Sequence, residues 1–336
     1  MSCSTRRKYH AVSFYDNGRV RRCVRRYHLR YDRVLDHQPV NVAIHSVDGM
    51  RYPNLALMRI SSWHKARGDS VEWFVPLKSY DRVYASKVFT FTPDDPYLPC
   101  DAIRGGTGYD VSSRLPDEIE ASRPDYTIYP QFKEAYGFLT RGCVNRCSWC
   151  VVPRKEGVLS VVGDIEDVCS TNTGFRRRAV LMDNNFLAAP VDFVREQVDK
   201  MVSLKVKVDF NQGTDARLYD DERAEIMSRC PVARYLRMSC DTDAMLDHCL
   251  SAIDRLRSFG YDKEVFVYIL AKNGEIDSAL HRIHGLMEAY EKAVPFVMPY
   301  RSLEGPSEAS RDLKRLARWC NRSWIRKSCR FEQYRR

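Results

Sequence analysis

The stretch "YGFLTRGCVNRCSWC", residues 136–150, decides how the chain is interpreted. Its apolar start is typical of a buried strand, and it leads directly into Cys143, Cys147 and Cys150, spaced C-x3-C-x2-C. A bulky aromatic residue, Trp149, precedes the last cysteine. Three thiolates in one loop can bind three irons of a four-iron cluster and leave the fourth iron without a protein ligand. Such an open position lets a substrate or cofactor bind the metal.

A zinc site, or three unrelated thiols, is the alternative interpretation of these cysteines. A structural zinc ion takes four ligands, usually as two separated pairs. Cys169 could supply a fourth thiolate, but the chain's 12 cysteines contain no second C-x2-C pair. The spacing therefore favours a cluster and leaves zinc open.

Length and composition indicate a soluble globular protein with room for two domains. The chain has 336 residues, 44% of them hydrophobic and 29% charged. Its longest apolar stretch, "VFVYILA" from Val265, is too short to cross a bilayer. No apolar segment follows the charged start "MSCSTRRKYH", as a secretory signal would require. We expect a cytoplasmic protein, with no membrane partner, whose cysteines are thiols or metal ligands.

The net charge of +10 is concentrated at the two ends. Residues 1–39 and residues 301–336 each carry +7, whereas residues 40–300 carry −4. Aromatic residues that could stack on bases are interleaved with the arginines: Tyr9, Tyr27, Trp319 and Trp324. The pattern predicts contact of both ends with RNA or DNA, and a solvated basic surface is the alternative.

Local patterns predict two α/β regions between the basic ends. Residues 1–39 form a basic extension, in which Asn17-Gly18 favours a hairpin while the apolar spacing from Val20 to Tyr27 favours a helix. Residues 40–48 predict a strand, 55–69 a helix and 70–77 a strand, which is a βαβ unit with a parallel sheet. "RGGTGYD", residues 104–110, predicts a loop, and the proline-rich stretch before residue 130 predicts a domain boundary.

A second repeating pattern of predicted strands and helices follows that boundary. Helix-like stretches alternate with six apolar runs, which begin near Tyr136, Ala179, Val206, Arg234, Val265 and Pro295. Six such units predict a partial six-stranded β/α barrel over residues 131–300, preceded by a Rossmann-like domain over residues 40–130. Residues 301–336 predict a basic helical tail.

The cysteine triple, the aromatic residue before its last member and its position after a first barrel strand resemble the radical S-adenosylmethionine (SAM) superfamily. The resemblance covers about residues 136–300. It implies a 4Fe-4S cluster held by Cys143, Cys147 and Cys150, with the amine and carboxylate of SAM on the open iron. It also implies reductive cleavage of SAM to a 5′-deoxyadenosyl radical, with an electron donor such as flavodoxin or ferredoxin. The substrate and the catalytic residues stay unassigned.

Polar residues after the predicted strands are the candidate SAM contacts. Asp183, Asn184 and Asn185 follow the second strand, where family members contact the methionine amine, although the family's glycine-rich acidic motif differs. A simple turn is the alternative there. Gln212 and Asp215 follow the third strand and are predicted to reach the ribose hydroxyls.

Two further candidates lie on the fourth strand and in the cysteine loop. Arg237 occupies the position where family members often bind the SAM carboxylate, and its alternative is a salt bridge to Asp183 or Asp241. Trp149 is predicted to cover the cluster or the adenine, or else to be a core aromatic residue.

Two motifs that define particular subgroups of the superfamily are absent from the sequence. The region before the barrel resembles the Rossmann-like domain of cobalamin-binding members, but no D-x-H-x-x-G loop follows Asp48, so we expect no cobalamin. "CVVPRKEG", residues 150–157, resembles the RNA-modifying methylthiotransferases, which need three more cysteines in the N-terminal domain. Residues 40–135 contain only Cys100, and Cys3 and Cys23 precede them. The alternatives are therefore a nucleic-acid-modifying enzyme of methylthiotransferase type and a non-catalytic metal-binding protein.

Overall fold

The computed structural model describes the backbone of residues 12–16 and 19–23, and residues 37–302 and 308–335 throughout. The chain divides into two compact units, Met1–Gln38 and Pro39–Arg336. In the first, β1 (Val12–Asp16) and β2 (Arg19–Cys23) pair antiparallel, which favours the predicted hairpin over a helix there. The rest of the basic extension, including Tyr9 and Tyr27, lies outside the described residues.

The second unit begins with a parallel four-stranded sheet of order β4-β3-β5-β6. The predicted βαβ unit is confirmed, because helix α1 connects the parallel strands β3 and β4. Strand β6 occupies part of the glycine-rich segment that was predicted to be only a loop. The elements are β3 (Asn41–Ser46), α1 (Leu55–Ala66), β4 (Ser70–Trp73), β5 (Arg82–Ser86), β6 (Ile103–Gly105) and α2 (Asp117–Glu120).

Short strands and helices then alternate along the rest of the chain. The strands are β7 (Ala135–Gly137), β8 (Thr140–Arg141), β9 (Ser160–Val161), β10 (Ser170–Thr171), β11 (Gly174–Phe175), β12 (Arg178–Leu181), β13 (Lys207–Phe210), β14 (Leu236–Ser239), β15 (Val265–Ala271) and β16 (Ala293–Pro299). The helices are α3 (Val152–Lys155), α4 (Ile165–Cys169), α5 (Val191–Ser203), α6 (Asp221–Ser228), α7 (Ala244–Ser258), α8 (Ile276–Ala289), α9 (Arg311–Asn321) and α10 (Ser323–Ser328). No helix in the described ranges is long and apolar enough to cross a membrane.

Two three-stranded parallel sheets carry the strands predicted for the second region. Their orders are β13-β12-β7 and β14-β15-β16. Isolated parallel bridges join Val208 to Val232 and Thr214 to Met238, between the β13 and β14 regions. All six predicted strands are present, and α5 to α8 occupy the predicted helical intervals. The protein is therefore a mixed α/β protein with parallel sheets.

The first strand of this series is shorter than predicted. The run Tyr136–Gly142 is divided into β7 and β8, and β8 pairs antiparallel with β9 rather than extending the parallel sheet. The division falls at Phe138 and Leu139, because the amides of Leu139 and Thr140 bind the carboxylate of Asp183 instead of a neighbouring strand.

The C-terminal segment is helical, as predicted, and it is also part of the core. Four residues of α9 are buried against the main hydrophobic cluster: Leu313, Leu316, Trp319 and Cys320. The Asn321 side chain accepts from the Val297 amide at 2.7 Å and donates to the Val297 carbonyl at 3.0 Å, so the end of α9 is attached to β16. Burial of these side chains fixes α9 as a layer of the fold.

Arg282 on α8 fastens the ends of two strands together. Its side chain is 1% exposed, and Nη1 donates to the carbonyls of Cys240 at 2.7 Å and Leu270 at 3.0 Å. Asp243 lies 3.1 Å from Nε and balances the charge. Since Cys240 follows β14 and Leu270 lies in β15, this guanidinium sets the spacing of the two strand ends.

Replacing Arg282 by Met should lower the free energy of unfolding by about 3 kcal/mol, because two buried carbonyls would lose their donor. Chemical denaturation with fluorescence detection measures the change. Arg257→Met on α7 is the matched control. Its side chain is 51% exposed, and we expect a loss below about 1 kcal/mol. Equal losses in the two variants would contradict the role given to Arg282.

Candidate functional site

A sharp turn begins the loop that carries the three cysteines, called here the cysteine loop, residues 142–157. Gly142 has φ +79°, and a Cβ there would lie 2.2 Å from the carbonyl oxygen of Val158. The Cys143 amide donates to the Gly157 carbonyl at 3.3 Å, which closes the loop on itself. Only glycine fits so close a backbone approach, so this turn fixes where the loop leaves β8.

The three thiols are half-buried, and two of them accept hydrogen bonds from backbone amides. The Cys143 sulfur accepts from the Asn145 amide at 3.4 Å, and the Cys150 sulfur accepts from the Val152 amide at 3.5 Å. Burial, reinforced by the neighbouring thiols, raises the pKa of Cys147 and Cys150. Backbone donors aimed at sulfur are a feature of sites that hold thiolates on soft metals, where the metal charge reverses this shift.

To hold a single metal ion, several ligand side chains must converge on one point. Among the residues that the structure describes, no three His, Cys, Asp or Glu side chains are grouped so as to hold a single metal ion. The cysteines of a four-iron cluster each bind a different iron, so their sulfurs need not meet at one position. The donor set of the cysteine loop is therefore compatible with a cluster.

Asp183 and Asn184 hold the entry to the cysteine loop. The Asp183 carboxylate, 2% exposed, accepts from the Thr140 amide at 2.5 Å, the Thr140 hydroxyl at 2.7 Å and the Leu139 amide at 3.2 Å. Burial raises the pKa of Asp183 to about 6, although these hydrogen bonds oppose the rise. Asn184 accepts from the Gly142 amide at 3.0 Å. Both side chains thus bind protein backbone where the sequence suggested SAM.

Asn185 reaches the thiols themselves. Its Nδ2 lies 3.5 Å from the Cys143 sulfur and donates to Asp215 Oδ2 at 3.3 Å. The Asp215 carboxylate accepts only, so it fixes the donor end of the amide toward itself. The opposite end, Oδ1, is buried without a hydrogen-bond partner among the described residues. Buried amide oxygens are rarely left unpaired, so this atom points to a missing donor.

Asp215 connects the loop to the end of β13. Besides Asn185, it accepts from Asn145 Nδ2 at 2.8 Å and from two nitrogens of Arg217, each at 2.8 Å. Burial raises the pKa of Asp215, and the bonds from Arg217 and Asn145 outweigh this, so the net shift is downward. Sequence reasoning missed Asn145. Its only signal is its place between two of the cysteines.

Trp149 is tied to the end of β14. Burial raises the pKa of Asp241, and hydrogen bonds from Ser239 and the Trp149 side chain partly oppose the rise. The Lys272 ammonium lies 5.8 Å from the centre of the Trp149 ring and 5.9 Å from that of Tyr300. Lys272 follows β15, so Trp149 lies among groups from two strand ends. Sequence reasoning had given neither Asp241 nor Lys272 a place beside it.

Arg237 does not join this group. It makes the salt bridge that was its alternative, but with Asp209 on the neighbouring strand at 2.6 and 2.7 Å, so the suggested partners Asp183 and Asp241 were wrong. It also donates to the Tyr268 hydroxyl at 2.9 Å, and its guanidinium lies 4.9 Å from the Phe266 ring centre. These contacts account for its burial without a ligand. Gln212 is exposed at the end of β13.

The structure thus brings Asn185 into contact with both Cys143 and Asp215, and it places Asp183 and Asn184 at the entry to the loop that carries Trp149. Neither a family model nor a curated protein sequence matches the chain. A second cluster would need cysteines from the part of the chain before residue 136, which contains Cys3, Cys23 and Cys100. Cys3 and the Cys23 side chain lie outside the described residues, and Cys100 is exposed.

The pH dependence of stability should report on Asp183. A carboxyl whose folded-state pKa, about 6, exceeds its unfolded-state value near ~4 contributes stability at low pH that is lost as pH rises through the folded-state pKa. Between about pH 4.5 and about pH 7.5 the loss should be about 2 kcal/mol. Asp183→Asn cannot titrate, so the stability difference between wild type and variant should change by that amount. A difference independent of pH, measured by urea denaturation, would contradict the raised pKa.

Proposed function

We propose that the chain is a radical SAM enzyme, in which the cysteine loop holds a 4Fe-4S cluster and the ends of β12 and β13 bind SAM. The observation that carries the proposal is the unpaired buried Oδ1 of Asn185, whose amide nitrogen lies 3.5 Å from the Cys143 sulfur. An ammonium group bound beside the cluster would supply the missing donor. The resemblance of the sequence around the cysteines leads to the same pairing of cluster and cofactor.

Each residue has a defined task in this proposal. When bound, the cluster and SAM supply the chemistry of reductive sulfonium cleavage and hydrogen abstraction. Cys143, Cys147 and Cys150 would each hold one iron, and the amides of Asn145 and Val152 donate to sulfur. Asn185 would accept from the methionine amine. Asp215 already accepts from Asn145, Asn185 and Arg217, so it would orient Asn185 rather than bind the ribose itself. Trp149 would cover one side of the cofactor.

The arrangement of the parallel strands also supports the proposal, separately from the contacts of Asn185. The parallel strands β7, β12, β13, β14, β15 and β16, with bridges between the β13 and β14 regions, are consistent with a partial barrel that is open on one side. In such a barrel the loops after the strands form the reactive face, and all the contacts above come from those loops. The parallel sheet before it, β3 to β6, we propose as the Rossmann-like domain.

Replacing any one of Cys143, Cys147 and Cys150 by Ala should abolish the cluster. Three protein ligands leave none in reserve, so iron content, visible absorbance and SAM cleavage by reduced protein should fall together. Protein purified without oxygen is assayed for iron, zinc and 5′-deoxyadenosine.

Cys100→Ala is the matched control, because Cys100 is exposed and distant in sequence from the loop. It should retain full iron content and cleavage. Colourless protein that contains zinc, or loop variants that keep their iron, would replace the proposal by a zinc or non-catalytic protein.

Replacing Asn185 by Leu should weaken SAM binding about tenfold, since a buried acceptor for the methionine amine would be lost. Equilibrium dialysis measures the affinity, and iron content is determined on the same sample. Asn172→Leu is the control. Its amide binds the Asp125 carboxylate at 2.8 Å and the Tyr126 amide at 3.0 Å, so it loses comparable bonds elsewhere. Unchanged SAM affinity in the iron-loaded Asn185 variant would remove Asn185 from the proposed cofactor contacts.

A further inference from the structure

The basic residues of the C-terminal segment are divided between the core and the surface. Arg315 donates to the Tyr334 carbonyl at 2.9 Å and lies 4.2 Å from the Phe331 ring centre, and Arg326 donates to the Cys320 carbonyl. These two arginines bind the protein itself. Arg322, Lys327 and Arg330 are exposed instead, and none of the three forms an ion pair with another described residue.

The two tryptophans of this segment are divided in the same way. Trp319 is 2% exposed, and its Nε1 donates to the Cys329 carbonyl at 3.0 Å, so its ring cannot stack on a partner. Trp324 is 66% exposed. Its exposed ring can stack on a partner, as that of Trp319 cannot.

Arg322, Trp324, Lys327 and Arg330 are exposed and lie within nine consecutive residues, called here the α10 patch. Trp324 and Lys327 are three residues apart on α10 and therefore share a face. Ile325, 4% exposed, packs on the core from the other face, so the patch is held on a fixed platform. Arg322 precedes the helix and Arg330 follows it closely, so three exposed cations lie within six residues of the indole along the chain.

We propose that the α10 patch binds single-stranded nucleic acid, with Trp324 stacking on an unpaired base and the three cations contacting phosphates. A π-face flanked by Arg and Lys is the combination that single strands require. A membrane surface fits less well, since the remaining apolar residue of this short helix, Ile325, is turned into the core. The inference is independent of the proposed cluster and SAM site.

Binding of a fluorescein-labelled oligouridine by the full chain, followed by anisotropy across a salt series, tests the proposal. The triple variant Arg322→Gln, Lys327→Gln, Arg330→Gln should bind more weakly at low salt. Its slope of log affinity against log salt should be shallower by about 2, since each lost phosphate contact removes roughly 0.7. Trp324→Ala should bind about tenfold more weakly with the slope unchanged, because stacking releases no counterions.

The control triple Arg51→Gln, Lys205→Gln, Lys263→Gln removes the same charge from exposed positions elsewhere. It leaves the charge of the basic N-terminal extension intact, as the patch variants do. It should keep most of the affinity and the original slope. Equal effects of the two triples would overturn the patch in favour of overall charge. Unchanged binding by Trp324→Ala, equal affinity for a blunt duplex, or binding to phosphatidylserine vesicles in place of the oligonucleotide would also overturn it.

Discussion

The buried carboxylate of Asp183 is the constraint on which the candidate site depends. It lies at the end of β12 and binds the backbone of Leu139 and Thr140, so the preceding strand stops pairing in the sheet at that point. A carboxylate with so little exposure is costly to ionise, which its raised pKa reflects, and it is tolerated because three protein donors meet it. Because the Leu139 and Thr140 amides bind Asp183 instead of a neighbouring strand, the chain turns there toward Gly142 and the cysteines. The next residues of the same corner, Asn184 and Asn185, then bind Gly142 and Cys143 in register with that turn.

The elements of the fold follow from sequence patterns because each pattern reflects burial. Strands covered on both faces give continuous apolar runs, and this made β15 and β16 predictable. The helices that alternate with the strands carry apolar residues at helical spacing, as α5 and α8 do. The break in the strand before the cysteine loop was not predictable, because its cause is a side chain 43 residues away from Thr140. Local patterns contain no information about such a partner.

The candidate site shows the same limit at the level of single side chains. Strand-end position was enough to select Asp183, Asn184, Asn185 and Asp215, since parallel strands end at one edge. It could not predict which contact each residue makes, because the consecutive residues Asp183, Asn184 and Asn185 bind three different partners. Arg237 is the clearest case. Its pairing with Asp209 depends on the register between neighbouring strands, which the sequence does not specify, so a correct expectation of a buried salt bridge came with the wrong partners.

The C-terminal segment shows why a count of charges describes a surface poorly. Its composition indicates one basic helical tail, but α9 is amphipathic and buries Leu313, Leu316 and Trp319 against β16 and its neighbours. Arg315 and Arg326 donate to the backbone carbonyls of Tyr334 and Cys320, so their guanidinium groups satisfy the protein's own acceptors. Around α10, Arg322, Lys327 and Arg330 stay exposed without an ion pair among the described residues, and the exposed Trp324 lies between the first two in the chain. Packing of the apolar face of α9 therefore determines which basic residues of the segment stay exposed and can act as a binding surface.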